Sequence, residues 1–226
     1  MQPTTTHAPE LPVLAARSTD LTVSEVSLAN DRHQQIRDFA LNMFVTHGYG
    51  NVSLRQLAEP LGLRAGSLYN HLESKQALLF ELIHDHMQHL LDSVRREVGK
   101  ARNQATKLRA FIATHLYFHT RYQSLSLLSN LELRSLECAY QDEIKSLLKQ
   151  YRGCLSEILK QGMASGVFRT QPISGAVQAI LAMLSGVAFW FDEHDQIDSK
   201  QLTRQFTHMV FGALGAAPGL IHRLAP

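Results

Sequence analysis

The sequence predicts an all-α fold, in which a small N-terminal bundle of three helices is joined by a long helix to a larger helical domain. From about residue 30 onward apolar residues return every three or four positions, the spacing of one helix face. No run alternates apolar and polar residues as a half-buried strand does. The 13 glycines and 7 prolines of the 226-residue chain fall mostly where that periodicity breaks. An apolar content of 45% with 19% charged residues suits a globular chain that buries its own core without metal or disulfide support.

Residues 1–29 hold one basic residue, Arg17, against Glu10, Asp20 and Glu25, show no sustained period, and read as a flexible arm. The first helix is expected to begin near Asp31, a capping residue with Gln34 three positions on, and to place Ile36, Phe39, Ala40, Met43 and Phe44 on one face until Gly48 stops it. The second starts at Ser53, whose hydroxyl suits an early backbone amide while Gln56 reaches back, and it buries Leu54, Leu57, Ala58 and Leu61. Pro60 lacks an amide and should end that helix early; Gly62 then supplies a tight turn. A short third helix over about 64–71 keeps Leu68 and Leu72 inward and leaves Arg64, Ser67, Tyr69, Asn70 and His71 on its other faces. Ser74 caps a long fourth helix, a connector reaching Gly99, along which Leu78, Leu79, Leu82, Ile83, Met87, Leu90, Leu91, Val94 and Val98 recur at helical spacing.

Five more helices are expected, over about 103–120, 123–135, 138–165, 172–191 and 199–214, with Pro172 suited to a first turn. The fourth of these carries Ala176, Val177, Ile180, Leu181, Leu184, Val187, Ala188 and Phe191, and the last carries Leu202, Phe206, Val210 and Leu214. Both stripes are wide. Pairing these two helices with their copies in a second subunit gives a four-helix bundle that hides them, so a homodimer through the last two helices is expected. The organisation is therefore an arm over 1–29, a three-helix head over 30–76 and a second domain over 77–226.

Composition removes several classes. Only Cys138 and Cys154 are present, both in one expected helix and too far apart along it to be bridged. With no basic segment leading into an apolar run at the start, this points to a reducing, cytoplasmic setting. The stretch from Ile173 to Phe191 is uncharged and nearly long enough to cross a bilayer, but Ser174, Gln178 and Ser185 interrupt it and its bulkiest residues share one side, so it reads as a buried helix with no membrane partner. A formal net charge of +2 does not announce a polyanionic partner, so any nucleic-acid binding rests on local placement.

That placement lies in residues 53–75. A short helix held by two leucines fits the major groove, whose base edges carry a readable pattern of donors and acceptors. Gly66 lets the backbone approach closely, with the small Ala65 beside it. Ser53, Tyr69, His71 and Lys75 offer phosphate contacts, aided by the amino ends of the second and fourth helices. Arg64, Ser67 and Asn70 are placed to read base edges, and Arg55 can reach either a base or the backbone. Between Asp31 and Lys75 five basic residues face four acids, so non-specific attraction to DNA should be weak.

The segment from Ser53 to Lys75 resembles the helix-turn-helix of the TetR family of bacterial regulators, in the cap before the second helix, the small Ala58, the Gly62 turn, the Ala-Gly-Ser-Leu-Tyr start of the third helix, the Tyr-x-His pair and the Ser-Lys that opens the fourth. The resemblance covers Asp31 to Gly99, and beyond that it lies mainly in helix order and length. It implies DNA contacts at Ser53, Arg64, Gly66, Ser67, Tyr69, His71 and Lys75, and departs from the pattern at Pro60 and at Asn70, where the family often has an aromatic residue. It further implies a ligand-responsive regulator, usually a repressor, that binds a palindromic operator in double-stranded DNA as a dimer and leaves it when a small molecule occupies the C-terminal domain.

An aromatic lining for such a molecule is offered by Phe111, His115, Tyr117, Phe118, Tyr122, Trp190 and Phe191, each of which reads equally as ordinary core. The stretches from Phe118 to Leu136 and from Gly162 to Phe168 resemble family members that sense acyl-CoA or hydrophobic carboxylates. In that case Arg134 or Arg121 is the natural partner for a carboxylate or phosphate; otherwise each forms a surface salt bridge. Two other functions stay open. His115 and His119 share one helical face and, with Glu132, could serve a metal-dependent hydrolase, while His84, His86 and His89 form a second cluster; core or surface histidines are the default for both. A ligand-binding protein that has lost DNA affinity is the other. The expectation carried forward is a regulator that is not an enzyme and needs no cofactor.

Overall fold

In a computed structural model of the chain, residues 23–192 and 198–224 are described, and all regular structure among them is helical. Helix α1 (Val23–His47) begins eight residues before the expected start at Asp31. Nothing between Val23 and Asp31 breaks a helix, and the roughly 1 kcal/mol that a cap supplies does not outweigh continued hydrogen bonding. The arm expected over 1–29 therefore ends in helix, and its residues 1–22 lie outside the described residues.

Ser53 caps α2 (Leu54–Ala58) as a reciprocal box: its hydroxyl accepts from the Gln56 amide at 3.3 Å, and the Gln56 side chain accepts from the Ser53 amide at 2.8 Å. The helix ends at Ala58 and tightens into a 3₁₀ turn over Glu59–Leu61 around Pro60, and Gly62 then takes the left-handed conformation (φ 67°) that reverses the chain. Helix α3 (Ala65–Leu68) is a single turn, prolonged to Leu72 by turn hydrogen bonds such as His71 N to Leu68 O at 2.8 Å. Leu68 and Leu72 are both buried beneath it. Ser74 accepts from the Ala77 amide at 2.9 Å to cap α4 (Lys75–Lys100).

The C-terminal domain contains α5 (Gln104–Arg121), α6 (Gln123–Leu131), α7 (Cys138–Ala164), α8 (Ile173–Ser185), α9 (Val187–Trp190) and α10 (Ser199–Ala213). Helix α4 packs on α5, α6 and α7, and α5 also meets α8 and α10, which makes α5 the central helix. The single helix expected over 172–191 is broken at Gly186, where the Phe189 amide turns back to the Gly186 carbonyl at 3.1 Å. The helix expected over 123–135 stops at Leu131 and tightens into a 3₁₀ turn over Leu133–Ser135. A further helix, α11 (Pro218–Leu224), opens on a proline, a residue suited to a first helical turn. Cys138 and Cys154 are both free.

One apolar core runs from Ile36, Phe44 and Leu57 in the head, along Leu79, Ile83 and Leu90 of α4, to Phe111, Leu155 and Val210 in the C-terminal domain. The uncharged stretch Ile173–Trp190 buries Val177, Ile180, Leu184, Val187 and Ala188 against it and exposes Gly175, Gln178, Ala179, Ala182, Phe189 and Trp190. It is thus half-covered in the single chain rather than fully buried.

After α7 the chain doubles back through Gly166 (φ 72°), and the Val167 and Phe168 amides both donate to the Gly162 carbonyl. Phe168 returns onto Gly162 so closely that a Cβ at that position would overlap its ring. Gly162→Ala is expected to cost about 1–3 kcal/mol through overpacking. Urea unfolding should show a lower midpoint with an unchanged slope.

Candidate DNA-reading surface and ligand cavity

The sequence-predicted contact residues fall on one solvent-facing region of the head, with one exception. Ser53, Arg55, Arg64, Gly66 and Asn70 are exposed, Tyr69 is 60% exposed, and Ser67 and His71 are half-buried; Ala65 opens α3. Neither Arg55 nor Arg64 has an acidic partner among the described residues, whereas Arg37 is spent on Glu81 (3.2 Å) and Asp85 (2.7 Å) of α4. The guanidiniums of Arg55 and Arg64 are thus available to an outside partner. Nothing lies within 4 Å of a Cβ built at Gly66, so packing within the chain does not demand glycine there.

Lys75 is the exception. Its ammonium donates to the Tyr49 carbonyl at 2.6 Å and lies 4.0 Å from the Tyr49 ring centroid. Burial pulls its pKa down from the ordinary lysine value, with the Glu132 carboxylate opposing that shift. The side chain points into the junction between head and C-terminal domain, not towards the exposed face; a helix-opening position could not reveal this, because the acceptor comes from the turn after α1.

Around Lys75 the two domains are tied by hydrogen bonds. Glu132 Oε1 accepts from the Tyr49 amide at 3.1 Å, and its other oxygen accepts from the Ser135 hydroxyl at 2.5 Å. Gln76 donates to the Ser135 carbonyl at 2.8 Å and accepts from the Glu137 amide at 3.1 Å. The segment from α6 to α7 thus holds the head at two places, the turn after α1 and the start of α4.

The same segment walls a cavity of about 220 Å³ inside the C-terminal domain. Ser129, Asn130 and Leu133 line it together with Ile83, Met87 and Leu90 of α4, Ile144, Leu148, Tyr151 and Arg152 of α7, and Leu181 and Ser185 of α8. His115 and His119 of α5 complete it, their rings stacked 3.9 Å apart at 11°. His115 Nδ1 meets the Tyr151 hydroxyl at 2.6 Å and its Nε2 meets the Ser185 hydroxyl at 3.4 Å. His119 Nδ1 lies 3.0 Å from the His115 carbonyl, an acceptor only, so this nitrogen carries the proton and Nε2 is the open acceptor of a neutral ring.

Of the residues read as ligand-lining in the sequence, only His115 faces this cavity. Phe111 and Phe118 are buried core, packed near Tyr151 and His89 respectively. Tyr122 belongs to a shallow groove with Leu41 and Arg121, Arg134 is exposed on the 3₁₀ turn, and Trp190 is 51% exposed. Aromatic content drew attention to α5, but helical rotation sends its rings to several neighbours. The polar lining missed there, Ser129, Asn130, Tyr151, Arg152 and Ser185, comes from three other helices. Its faint signal is a polar group interrupting an apolar stripe, as Ser185 does beside Leu184.

The geometry does not assemble a hydrolase. Glu132 is held by Tyr49 and Ser135 rather than by the histidine pair, and the described residues contain no group of three histidine, cysteine or acidic side chains able to hold a metal. His86 is likewise committed, to the Ser126 hydroxyl at 3.1 Å.

A one-turn helix carried outward on a two-leucine base, beside a helical domain enclosing a cavity, defines a helix-turn-helix regulator with a sensor domain. The chain belongs to the TetR family: residues 36–82 match the family described as bacterial regulatory proteins, tetR family, and residues 101–214 match the tetracyclin repressor-like C-terminal domain. It is 23% identical over 193 residues to the HTH-type transcriptional repressor KstR2 of Mycolicibacterium smegmatis, covering 84% of this chain and 94% of that protein. It is 24% identical over 135 residues to the fatty acid metabolism regulator protein of Bacillus subtilis, covering 60% and 70%. Its fold matches that of AibR, solved in complex with isovaleryl coenzyme A and operator DNA, with a TM-score of 0.71 at 22% identity, covering 80% of this chain and 98% of that one.

Burial depresses the pKa of His86 to about 3 and of His119 to about 4, and holds His115 well below its ordinary value, with neighbouring histidines adding to the depression at His86 and His115. In the unfolded chain all three titrate near 6.5, so above that pH neither state binds protons and no stability is lost. Below it the unfolded state takes up protons that the folded state refuses. Stability is therefore expected to fall between about pH 6.5 and pH 4, by up to about 1.4 kcal/mol per pH unit for each histidine. Urea titrations across that range check this, and His86→Gln should flatten the slope.

Proposed function

We propose that this protein is a dimeric transcriptional repressor that binds a palindromic operator and releases it when an acyl-CoA or related hydrophobic carboxylate occupies the cavity. The observation that carries this reading is the dual role of the segment 129–137. Ser129, Asn130 and Leu133 touch whatever fills the cavity, while Glu132, Ser135 and Glu137 hold Tyr49 and Gln76 at the base of the head. A ligand shifts an equilibrium only through differential contacts, and this segment supplies them to both sites.

In the head, Arg64, Ser67 and Asn70 read base edges, while Arg55, Tyr69, His71 and the Ser53 end of α2 engage the backbone, with Gly66 allowing close approach. Lys75 contributes by fixing the turn at Tyr49 rather than by touching phosphate. Dimerisation uses the exposed sides of α8, α9 and α10, where Gly175, Ala179, Ala182, Trp190 and the 46% exposed Met209 offer a largely apolar surface. A twofold pair of heads spaced about 34 Å apart matches successive major grooves. Relatives named as repressors and as a fatty acid metabolism regulator, and a fold shared with a CoA-thioester-bound regulator, support the assignment. The protein works by binding alone, without enzymatic turnover, in the cytoplasm.

Arg64→Ala and Tyr69→Ala are each expected to weaken operator binding by about tenfold or more, at fixed salt, with the thermal midpoint preserved. A gel shift on the protein's own upstream region measures this, and wild-type affinity in both variants would refute the assigned surface. Glu132→Ala should free the Tyr49 amide, read as faster hydrogen exchange in the peptide containing residue 49, and should reduce effector-driven release of the operator at least about fivefold. Unchanged release would place signal transmission elsewhere.

A further inference from the structure

We infer that the groove between α5 and α10 is a second ligand site, which takes a small molecule carrying phosphate groups. It stands apart from the cavity proposed for the effector. The groove uses Arg109, Ala113, Leu116, Tyr117 and Thr120 of α5, whereas His115 and His119 of the same helix face the cavity, and the two share no lining residue.

Arg109 reaches the groove from α5, and Lys200 and Arg204, one helical turn apart, reach it from α10. All three are exposed, and none is paired with an acid among the described residues. No carboxylate lines the groove, and Asp198, close by in the chain, is turned to the Gln201 amide at 2.6 Å. Three like charges gathered on one groove repel one another, and an anion set among them reverses the sign of that interaction. A guanidinium meets phosphate with two parallel N–H bonds, and the charge of a phosphate ester or pyrophosphate matches three cations better than a single carboxylate does.

The hydroxyl of Thr207 points the same way. Thr120 and Thr203, which also line the groove, donate to the carbonyls four residues back, those of Leu116 at 2.9 Å and Ser199 at 2.8 Å. Thr207 does not. It lines the groove, is 1% exposed, and its Oγ1 has no hydrogen-bond partner. A buried hydroxyl left without a partner costs stability, so a partner from outside the chain accounts for its place. Arginine and lysine only donate, and a hydroxyl donates as readily, so the groove calls for an acceptor-rich anion. The remaining lining includes Ala113, Leu116, Leu202 and the half-exposed ring of Tyr117, on which an organic body can rest. That favours a phosphate ester, such as a nucleotide, over inorganic phosphate.

Equilibrium dialysis of the wild-type chain against ADP, pyrophosphate and adenosine, at about 0.15 M salt, tests the site. ADP is expected to bind at least about tenfold more tightly than adenosine. Arg109→Ala and Arg204→Ala should each weaken ADP binding at least about fivefold, whereas Arg152→Ala, which removes the same charge beside the cavity, should leave it unchanged. Thr207→Val should weaken ADP binding about fivefold and leave the thermal midpoint of the free protein unchanged or higher, since the unpartnered hydroxyl is gone. Tighter binding of ADP than of pyrophosphate identifies an ester as the ligand; equal binding identifies inorganic phosphate and keeps the site. Absence of binding by both, adenosine binding as tightly as ADP, or a loss in Arg152→Ala equal to that in Arg109→Ala overturns the inference. None of these results bears on the effector proposed for the cavity.

Discussion

The backbone of Tyr49 has both its hydrogen-bonding groups answered by side chains from distant elements: its amide by Glu132 beyond α6, its carbonyl by Lys75 at the start of α4. Its ring lies edge-on to Phe44, with centroids 5.1 Å apart, under the Lys75 ammonium. A buried backbone group without a partner costs about as much as a lost hydrogen bond, so the turn after α1 keeps its place only while the C-terminal domain holds Glu132 there. The turn so held joins α1 to α2, on which α3 packs through the buried Leu68 and Leu72. The head is accordingly an extension of the sensor domain rather than a bead on a string.

The sensor end is built on a different principle. Buried ionisable groups normally demand opposite charges, yet the three inner histidines have none among their hydrogen-bond partners, which are Ser126, Tyr151, Ser185 and a backbone carbonyl. Burial keeps them neutral, and neutrality makes each ring half donor and half acceptor. Two of them, His115 and His119, present such rings to the cavity.

Much of the head was legible because its determinants are local. The Ser53–Gln56 box, the Pro60 stop, the left-handed Gly62 and the Leu68–Leu72 base each need only neighbours within a few positions, and each appears where the spacing placed it. The inward turn of Lys75 was not legible because its partner arrives from 26 residues away. Of the residues read as ligand lining, His115 faces the cavity while Phe111, Phe118, Tyr122, Arg134 and Trp190 lie elsewhere, and the sequence could not show which, because a cavity is what several helices fail to fill together. No window along one helix records how far its neighbours stand off.

The amino-acid sequence by itself determined the all-helical class, the order of the helices, the family and the residues presented on the reading helix, since periodicity, capping and turn chemistry act over one or two helical turns. Tertiary structure alone decided that Lys75 faces inward, that Glu132 is a tether rather than a metal ligand, and that the cavity is walled by the segment that holds the head. Those properties depend on distances between elements far apart along the chain, which only the packing of one helix against another sets.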